Sequence, residues 1–480
     1  MTSNRFVTRN AVTIAVTMML FVGLRIPPAR ADRLDELERR AQELVEELQT
    51  ELEAVRAERR LLEAEREAFE NTRAQVAEEA PSAETDRKVN VLAEELARLK
   101  DEIVVPESVE YESEHGLGPA ASKIYRIERG LSLGGYGEGF FSETVSDTRG
   151  SRDTADALRF VLYTGYKFSD RILFNSEIEF EHATTSATVT SGGGSVSVEL
   201  AYLDFLLHEK ANARMGLVLV PLGFLNEIHE PVFFHGNQRP EVERRIIPST
   251  WREIGAGVFG NLRDDLSYRA YLTTSLNAKG FSSSGIRGGR QSGNRASAES
   301  LAVSARLDYE PDYVPGLLVG GSAFVGETGQ NESFADSEVD ALLTLWDLHA
   351  QYRVQGLELR ALAAFGTIRD AGTLSRDAGS TVGDRQEGYY IEGAYDVMPH
   401  ILPQFDRQYL APFVRYEHFD TNASAPSGFA RDRTKDTELY TLGLTYKPHP
   451  QVAIKFDYRN FELARSERTD EVSLGAGFVF

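Results

Sequence analysis

The last ten residues of the chain alternate between an apolar side and a mostly small or polar side. Successive residues of an extended strand point to opposite faces. One face of this segment carries Val472, Leu474, Ala476, Phe478 and Phe480. The other face carries Ser473, Gly475, Gly477 and Val479. A strand of this kind separates two different surroundings, and no other feature of the sequence constrains the fold as strongly.

The same two-sided pattern recurs back to about Leu131. Clear examples are Arg171–Glu181, Leu301–Glu310, Leu357–Phe365 and Val452–Arg459. A soluble barrel of this size would bury its apolar face in a core, but the charges on the other face are too many to bury. Placing one of those charged side chains on the lipid face, at the middle of the bilayer, would cost about 2–4 kcal/mol. We therefore expect a closed all-β transmembrane barrel, with water inside and lipid outside.

The connections between these strands alternate in length. Short turns lie near Ser169–Asp170 and Gln355–Gly356, whereas a long polar connection spans Ser282–Ser300. Short turns on one side and long loops on the other are typical of outer-membrane barrels. Counting the connections predicts about sixteen antiparallel strands over residues 131–480. The least regular are those at Ser195–Glu209 and Leu317–Gly329, where the alternation slips.

The residues before the barrel are of two different kinds. Arg5 and Arg9 precede an apolar run, and Ala29–Ala31 matches a small-x-small cleavage site, which predicts a secretory signal peptide over residues 1–31. Residues 32–105 are rich in Glu, Arg, Leu and Ala. Apolar residues there recur every three or four positions, as in Val89, Leu92, Leu96, Leu99 and Ile103. This predicts a periplasmic coiled coil, joined to the barrel by a junction over residues 106–130.

A lone helix with so thin an apolar stripe would be unstable in water, so we expect self-association, with a homotrimer as the favoured state. The alternative is a helix that folds back on its own domain. The chain has no cysteine, which excludes disulfides and Cys-ligated zinc. A net charge of −22 argues against nucleic acid as a partner.

The third long connection, Glu230–Thr250, differs from the other loops. Three prolines restrict it, and it contains apolar residues that a disordered surface loop would lack. We expect it to fold into the barrel, whereas Ser282–Ser300, which is rich in Ser, Gly and Arg, is expected to be loosely ordered. Charged residues of the inward loop and just after it would line a constriction that selects solutes by charge: Arg239, Glu241, Glu243, Arg244, Arg245, Arg252 and Glu253. The alternative is an outward loop with a solvated run of charges.

Other candidate sites are weaker. His229 and His235 flank the start of this loop with Glu230 nearby and could ligate a metal, but loop histidines more often have other roles. We therefore predict neither a metal nor a cofactor. No Ser/His/Asp arrangement or carboxylate pair stands out by spacing, so we predict no catalytic residues and no enzymatic activity.

Three segments carry a resemblance to known proteins: Gly130–Gly137, Pro412–Glu417 and Leu444–Pro450 leading into Val452–Tyr458. With them, residues 116–480 resemble trimeric outer-membrane diffusion porins. The chain looks closest to phosphate-selective porins and to dicarboxylate-type porins with an N-terminal coiled coil. The resemblance implies a trimer of sixteen-stranded barrels, with loop three in each lumen and passive passage of small hydrophilic solutes.

The sequence thus predicts a passive porin of the cell outer membrane, surrounded by outer-membrane lipid and conducting small hydrophilic solutes, with anions as one candidate class. The rival interpretation is structural: the coiled coil would reach the peptidoglycan and tie it to the outer membrane, with the barrel as an anchor. A lipid-hydrolysing barrel ranks third, because it would need a Ser/His pair on an outer strand.

Overall fold

Sixteen strands of the computed structural model close into one antiparallel barrel, which confirms the predicted barrel and its strand number. The structure describes residues 113–145, 153–186, 193–405, 407–464 and 470–480. The predicted signal peptide (1–31), the predicted coiled coil (32–105) and the first residues of the junction lie outside this part of the chain. The barrel strands are β1 Gly130–Thr144, β2 Thr154–Ser169, β3 Ile172–Glu181, β4 Val196–His208, β5 Ala211–Leu219, β6 Arg252–Arg263, β7 Leu266–Thr274, β8 Leu301–Tyr309, β9 Leu317–Gly326, β10 Leu343–Val354, β11 Leu357–Ile368, β12 Arg385–Tyr395, β13 Tyr409–Ser424, β14 Asp436–His449, β15 Val452–Leu463 and β16 Glu471–Val479.

Helices in the described residues are short. They are α1 Pro119–Arg126, α2 Glu241–Arg245, α3 Ala371–Ala378 and α4 Met398–Ile401, with 3-10 turns at Pro231–Phe233, Ala278–Gly280, Arg287–Gly289, Pro403–Phe405 and Arg433–Lys435. Ser333–Phe334 and Ser337–Glu338 form a separate two-stranded hairpin. Among these helices none is long and apolar enough to cross a membrane.

The terminal strand β16 closes the barrel by pairing with β1. Their register runs from Tyr136 opposite Val479 to Thr144 opposite Glu471. The last residue extends the pairing, because the Phe480 amide donates to the Gly135 carbonyl at 2.9 Å and the Gly135 amide donates back at 3.0 Å. Closure leaves no sheet edge unpaired, which a barrel in lipid requires.

The barrel turns its apolar face outward and its polar face inward. Along β8, Leu301, Val303 and Leu307 are exposed, whereas Arg306 and Asp308 between and after them are buried inside. The same alternation places Leu474, Phe478 and Phe480 on the outer surface of β16. An apolar exterior around a charged interior is the reverse of a soluble fold and is typical of a barrel that spans a bilayer. The predicted assignment of the two faces is confirmed.

The strands end at two rims that differ in the length of their connections. One, the turn rim, carries the shorter connections, such as those at Asp170–Arg171 and Gln355–Gly356. The other, the loop rim, carries the longer ones, including the β7–β8 connection with Ser282–Ser300. The two strands with irregular alternation are present as β4 and β9.

Helix α1, which the sequence did not predict, lies inside the barrel near the turn rim. Ile124 of this helix is buried against Gly165 of β2, where an added Cβ would come within 2.9 Å of the Ile124 side chain. Lys167, also on β2, donates to the carbonyl of Ile127 at 2.7 Å. The predicted junction is therefore partly a folded element of the barrel interior.

Candidate functional site

Loop three, residues 220–251 between β5 and β6, folds into the barrel interior. Ile246, Ile247 and Trp251 are fully buried in one apolar cluster with residues of the β9 and β10 wall. The rings of Trp251 and Phe324 lie 4.5 Å apart, centroid to centroid. The apolar residues of the loop thus pack on the inner wall, where the sequence led us to expect them.

One asparagine ties the two ends of this loop together. The Asn226 side chain donates to the carbonyls of Val220, at 2.5 Å, and Trp251, at 2.9 Å. Its carbonyl oxygen accepts from the Trp251 amide at 2.6 Å. Because Asn226 is buried, these bonds are shielded from water. They hold the first and last residues of the loop together beside β5 and β6, and we call this part of the loop its closed base.

Helix α2 is held to a different part of the wall through one carboxylate. Glu241 accepts from Arg459 of β15 at 2.7 Å, from Arg244 at 3.0 Å and from Arg245 at 3.0 Å. Burial alone would raise the pKa of the Glu241 carboxyl, but the guanidinium groups of Arg244, Arg459 and Arg245 hold that pKa well below its usual range. The loop therefore crosses the lumen, from its apolar packing on β9 and β10 to an ion pair on β15.

Of the seven predicted constriction residues, Arg244 and Arg245 have the most exposed side chains, at 37% and 40%. Arg245 lines a cavity of about 170 Å³ together with Lys435 and Thr437, which lie at the loop-rim start of β14. Both guanidinium groups share the single carboxylate of Glu241 with Arg459. Positive charge is therefore in excess where the loop meets this cavity.

The remaining predicted residues are buried, except for the partly buried Arg252, and they contact the loop or the wall beside it. Glu243 accepts from the Tyr390 hydroxyl at 2.7 Å and from the Leu225 amide at 2.6 Å. Glu253 accepts from the Trp251 indole at 3.2 Å. Of the two arginines in this group, Arg252 donates to the Glu199 carboxylate at 3.1 Å, and Arg239 is buried. The structure gathers all seven around loop three but leaves only two of them substantially open.

The prediction that Ser282–Ser300 is loosely ordered is wrong. Ile286 is fully buried in the same cluster as Ile246 and Ile247. Arg290 donates to the carbonyls of Pro248, at 3.1 Å, and Thr250, at 2.9 Å, and Arg287 donates to the carbonyl of Ser249. These guanidinium–carbonyl bonds fix the segment over the end of loop three, which its Ser/Gly composition does not reveal.

Four arginines meet at this place, and we call Arg244, Arg245, Arg287 and Arg290 the arginine cluster. Burial, and then the neighbouring guanidinium groups of Arg290 and Arg244, lower the pKa of Arg287. The guanidinium groups of Arg287 and Arg290 therefore lie close enough to repel each other, while Arg290 also lies near the carboxylates of Glu199 and Glu253.

A larger cavity, of about 560 Å³, lies toward the turn rim on the other side of loop three. Its lining includes Arg269, Arg306 and Arg360. Here each arginine has a close carboxylate: Arg269 and Arg306 pair with Asp308 at 2.5 and 2.7 Å, and Arg360 pairs with Glu358 at 3.1 Å. The two cavities thus differ in character, with paired charges toward the turn rim and excess positive charge toward the loop rim.

The histidines at the loop start do not meet each other. His235 lies 3.0 Å from the Thr445 hydroxyl. Glu230 accepts from the Ala120 amide at the start of α1 at 3.2 Å. His229 instead lies between two carboxylates of the barrel wall, those of Glu177 and Glu199. Neither wall residue stood out in the sequence, because each occupies an ordinary inward strand position.

No protein-family model matches the chain. OmpF of Salmonella typhi, solved in complex with daunomycin, is 15% identical, with a TM-score of 0.50 over 74% of this chain and 99% of that chain. The outer membrane channel DcaP of Acinetobacter baumannii is 14% identical, with a TM-score of 0.47 over 73% of this chain and 97% of that chain. The likeness to OmpF shows that the barrel has the fold of outer-membrane porins.

One relative is similar in sequence along most of its length. It is an uncharacterized protein of Aquifex aeolicus, 38% identical over 375 residues, which are 75% of this chain and 82% of that protein. Identity at this level over so long an alignment shows common descent. The chain therefore belongs to the same family as the Aquifex aeolicus protein.

Proposed function

We propose that the protein is a passive outer-membrane porin for small hydrophilic solutes, with a preference for anions. The observation that carries the proposal is a folded loop inside an apolar-outside, charged-inside barrel, on which Arg244 and Arg245 are partly exposed and Arg245 lines a cavity. A loop folded inward narrows the lumen at the place where it lies. The charges exposed there act on any solute that passes.

The seven predicted residues have two roles in this constriction: some face the solute, and the others hold the loop. Arg244 and Arg245 face the solute, and Arg287 and Arg290 add to the positive potential behind them. The less exposed members hold the loop at the required position: Arg239, Glu241, Glu243, Arg252 and Glu253. The preference for anions follows from charge balance. Arg459 has a second carboxylate in Glu471, so Arg244 and Arg245 have only Glu241 between them, whereas Arg269 and Arg306 at the turn rim have both Asp308 and Glu227.

The surroundings of the barrel complete the proposal. Its apolar exterior suits outer-membrane lipid, and the predicted signal peptide over residues 1–31 would direct the chain to the envelope. The predicted coiled coil over residues 32–105 would stand in the periplasm and join three barrels into a homotrimer. The proposed function needs no cofactor and no catalytic residue.

The deciding experiment records current from the purified, folded protein in planar lipid bilayers. We expect stepwise conductance, and in a KCl gradient a reversal potential on the anion-selective side. Folded protein that inserts but carries no current would refute the porin. A conducting protein with cation selectivity would retain the porin and refute the role given to the arginine cluster.

One feature is compatible with the alternative of an anchor that tethers the outer membrane to the peptidoglycan. Loop three covers much of the inner wall, so that Arg415 and Arg459 are fully buried although they point into the barrel. A densely filled barrel suits an anchor as well as a narrow pore. Co-purification of cell-wall fragments with a barrel that remains closed would favour the anchor.

A further inference from the structure

A histidine and two glutamates meet inside the barrel, where the start of loop three lies against β3 and β4. His229 Nε2 lies 3.2 Å from Glu177 Oε1 of β3 and 3.2 Å from Glu199 Oε2 of β4. One candidate ligand atom from each residue lies within 4.8 Å of the others, and all three side chains are buried. We propose that His229, Glu177 and Glu199 form a binding site for a divalent transition metal of the Zn²⁺ type.

The orientation of the imidazole supports metal binding. Its Nδ1 lies 3.2 Å from the carbonyl oxygen of Asn226, which it reaches as a donor. That bond leaves Nε2 as the ring nitrogen that faces the two carboxylates, the position from which a neutral imidazole would ligate a metal. Asn226 is itself fixed by its bonds at the loop base, so the ring is held in this orientation.

The two carboxylates each have an oxygen without a hydrogen bond. Glu177 Oε2 and Glu199 Oε2 are both inaccessible to solvent and have no hydrogen-bond partner. Glu199 Oε2 faces the imidazole, at 3.2 Å from Nε2. A buried carboxylate oxygen is unfavourable unless it is paired, and a bound cation would satisfy it. The second oxygen of Glu199 accepts from Arg252 at 3.1 Å, an outer contact that would orient the ligand.

The donor set and its spacing indicate the kind of ion. Zn²⁺ bonds to imidazole nitrogen and carboxylate oxygen at roughly 2.0–2.2 Å, so donors in a tetrahedral site stand about 3.3 Å apart. Both nitrogen–oxygen distances here are 3.2 Å. Imidazole with carboxylates suits zinc and its neighbours better than Mg²⁺ or Ca²⁺, which prefer oxygen alone. Two carboxylates also neutralise the charge of the ion.

A bound ion would stabilise the position of loop three. It would link the start of loop three to β3 and β4, just beyond the closed base at Asn226. Because the residues are buried, the ion would enter during folding rather than afterwards. This inference is independent of the proposed transport function, since a barrel that conducts nothing could still hold the ion.

The test is metal uptake by the full chain refolded in detergent with Zn²⁺, followed by desalting and elemental analysis. We expect one Zn²⁺ per chain, and with Co²⁺ in its place the visible absorption of a low-symmetry N/O site. His229→Ala and Glu199→Gln should each weaken binding by at least the roughly 10–100-fold known for outer-shell substitutions. The control is His235→Ala, which removes another buried loop histidine and should bind as wild type.

Folding is checked independently by far-UV circular dichroism and by the heat-dependent gel migration of closed barrels. Wild-type protein that folds but retains no Zn²⁺ or Co²⁺ would overturn the proposal. It would show that a proton on His229 neutralises the two glutamates instead. Glu199→Gln protein that folds and binds metal as tightly as wild type would overturn it equally.

Discussion

Neutralising Arg244 and Arg245 is the sharpest test of which charges face the solute. Arg244→Gln/Arg245→Gln removes two positive charges and leaves Glu241 paired with Arg459 at 2.7 Å. No buried carboxylate loses its last partner, so the loop should keep its place. The two side chains are also partly exposed, at 37% and 40%, and ion pairs open to water contribute little to stability.

The size of the effect follows from Coulomb's law in a wet lumen. An anion about 5 Å from one guanidinium gains about 0.8 kcal/mol in water, and screening at 0.1 M salt reduces this to about 0.5 kcal/mol. Losing both arginines therefore costs about 1 kcal/mol, or a roughly five-fold lower anion occupancy. We expect the anion-to-cation permeability ratio to fall by about this factor. The change should shrink at 1 M salt, where the Debye length is only about 3 Å.

The assay is the reversal potential of the double variant in a KCl gradient, compared with wild type. The matched control is Arg263→Gln/Arg385→Gln, which removes two exposed arginines at the turn rim and the loop rim. Each of those arginines also pairs with one carboxylate, so the control removes the same number of paired positive charges at sites outside the constriction. An unchanged reversal potential in the Arg244/Arg245 variant, at wild-type conductance, would show that neither residue faces the solute path.

Three further changes probe the elements that hold the site. Glu241→Gln removes the loop partner of the buried Arg459, which keeps Glu471 at 3.0 Å, and should destabilise the attachment of α2 by about 1–3 kcal/mol, seen as noisier single-channel current and a lower unfolding midpoint. Ile247→Ala should cost about 2–5 kcal/mol in chemical unfolding, because the side chain is fully buried in the loop's apolar cluster. Gly165→Val should displace α1, since even a Cβ would approach Ile124 to 2.9 Å, and limited proteolysis should then cleave α1 faster than in wild type.

These three changes share one control on the outer surface. Leu474→Ala shortens an exposed apolar side chain that does not contact the loop cluster, and it should leave current noise and α1 cleavage at wild-type levels. An Ile247→Ala protein as stable as this control would show that the loop does not depend on its wall contacts. Wild-type cleavage of α1 in Gly165→Val would show that the helix tolerates the added side chain.

The alternation of residues along each strand was enough to predict the barrel. A period of two that lasts from β1 to β16 leaves little choice of fold, because each strand must show one face to water and the other to lipid. The inward position of loop three was also predictable, since its prolines restrict it and its isoleucines need an apolar surface. Both are properties of short segments, which the sequence displays directly.

What the sequence could not determine depends on partners that are far apart in the chain. Glu241 meets Arg459, 218 residues away, and this contact decides which loop charges are anchored and which remain open. The order of Ser282–Ser300 likewise depends on the carbonyls of Pro248 and Thr250, and the meeting of His229 with Glu177 and Glu199 depends on how β3 and β4 lie beside the loop. Local patterning set the strands and their faces because each residue responds to its immediate surroundings. The site was decided by tertiary structure, because barrel closure brings distant side chains within hydrogen-bond reach.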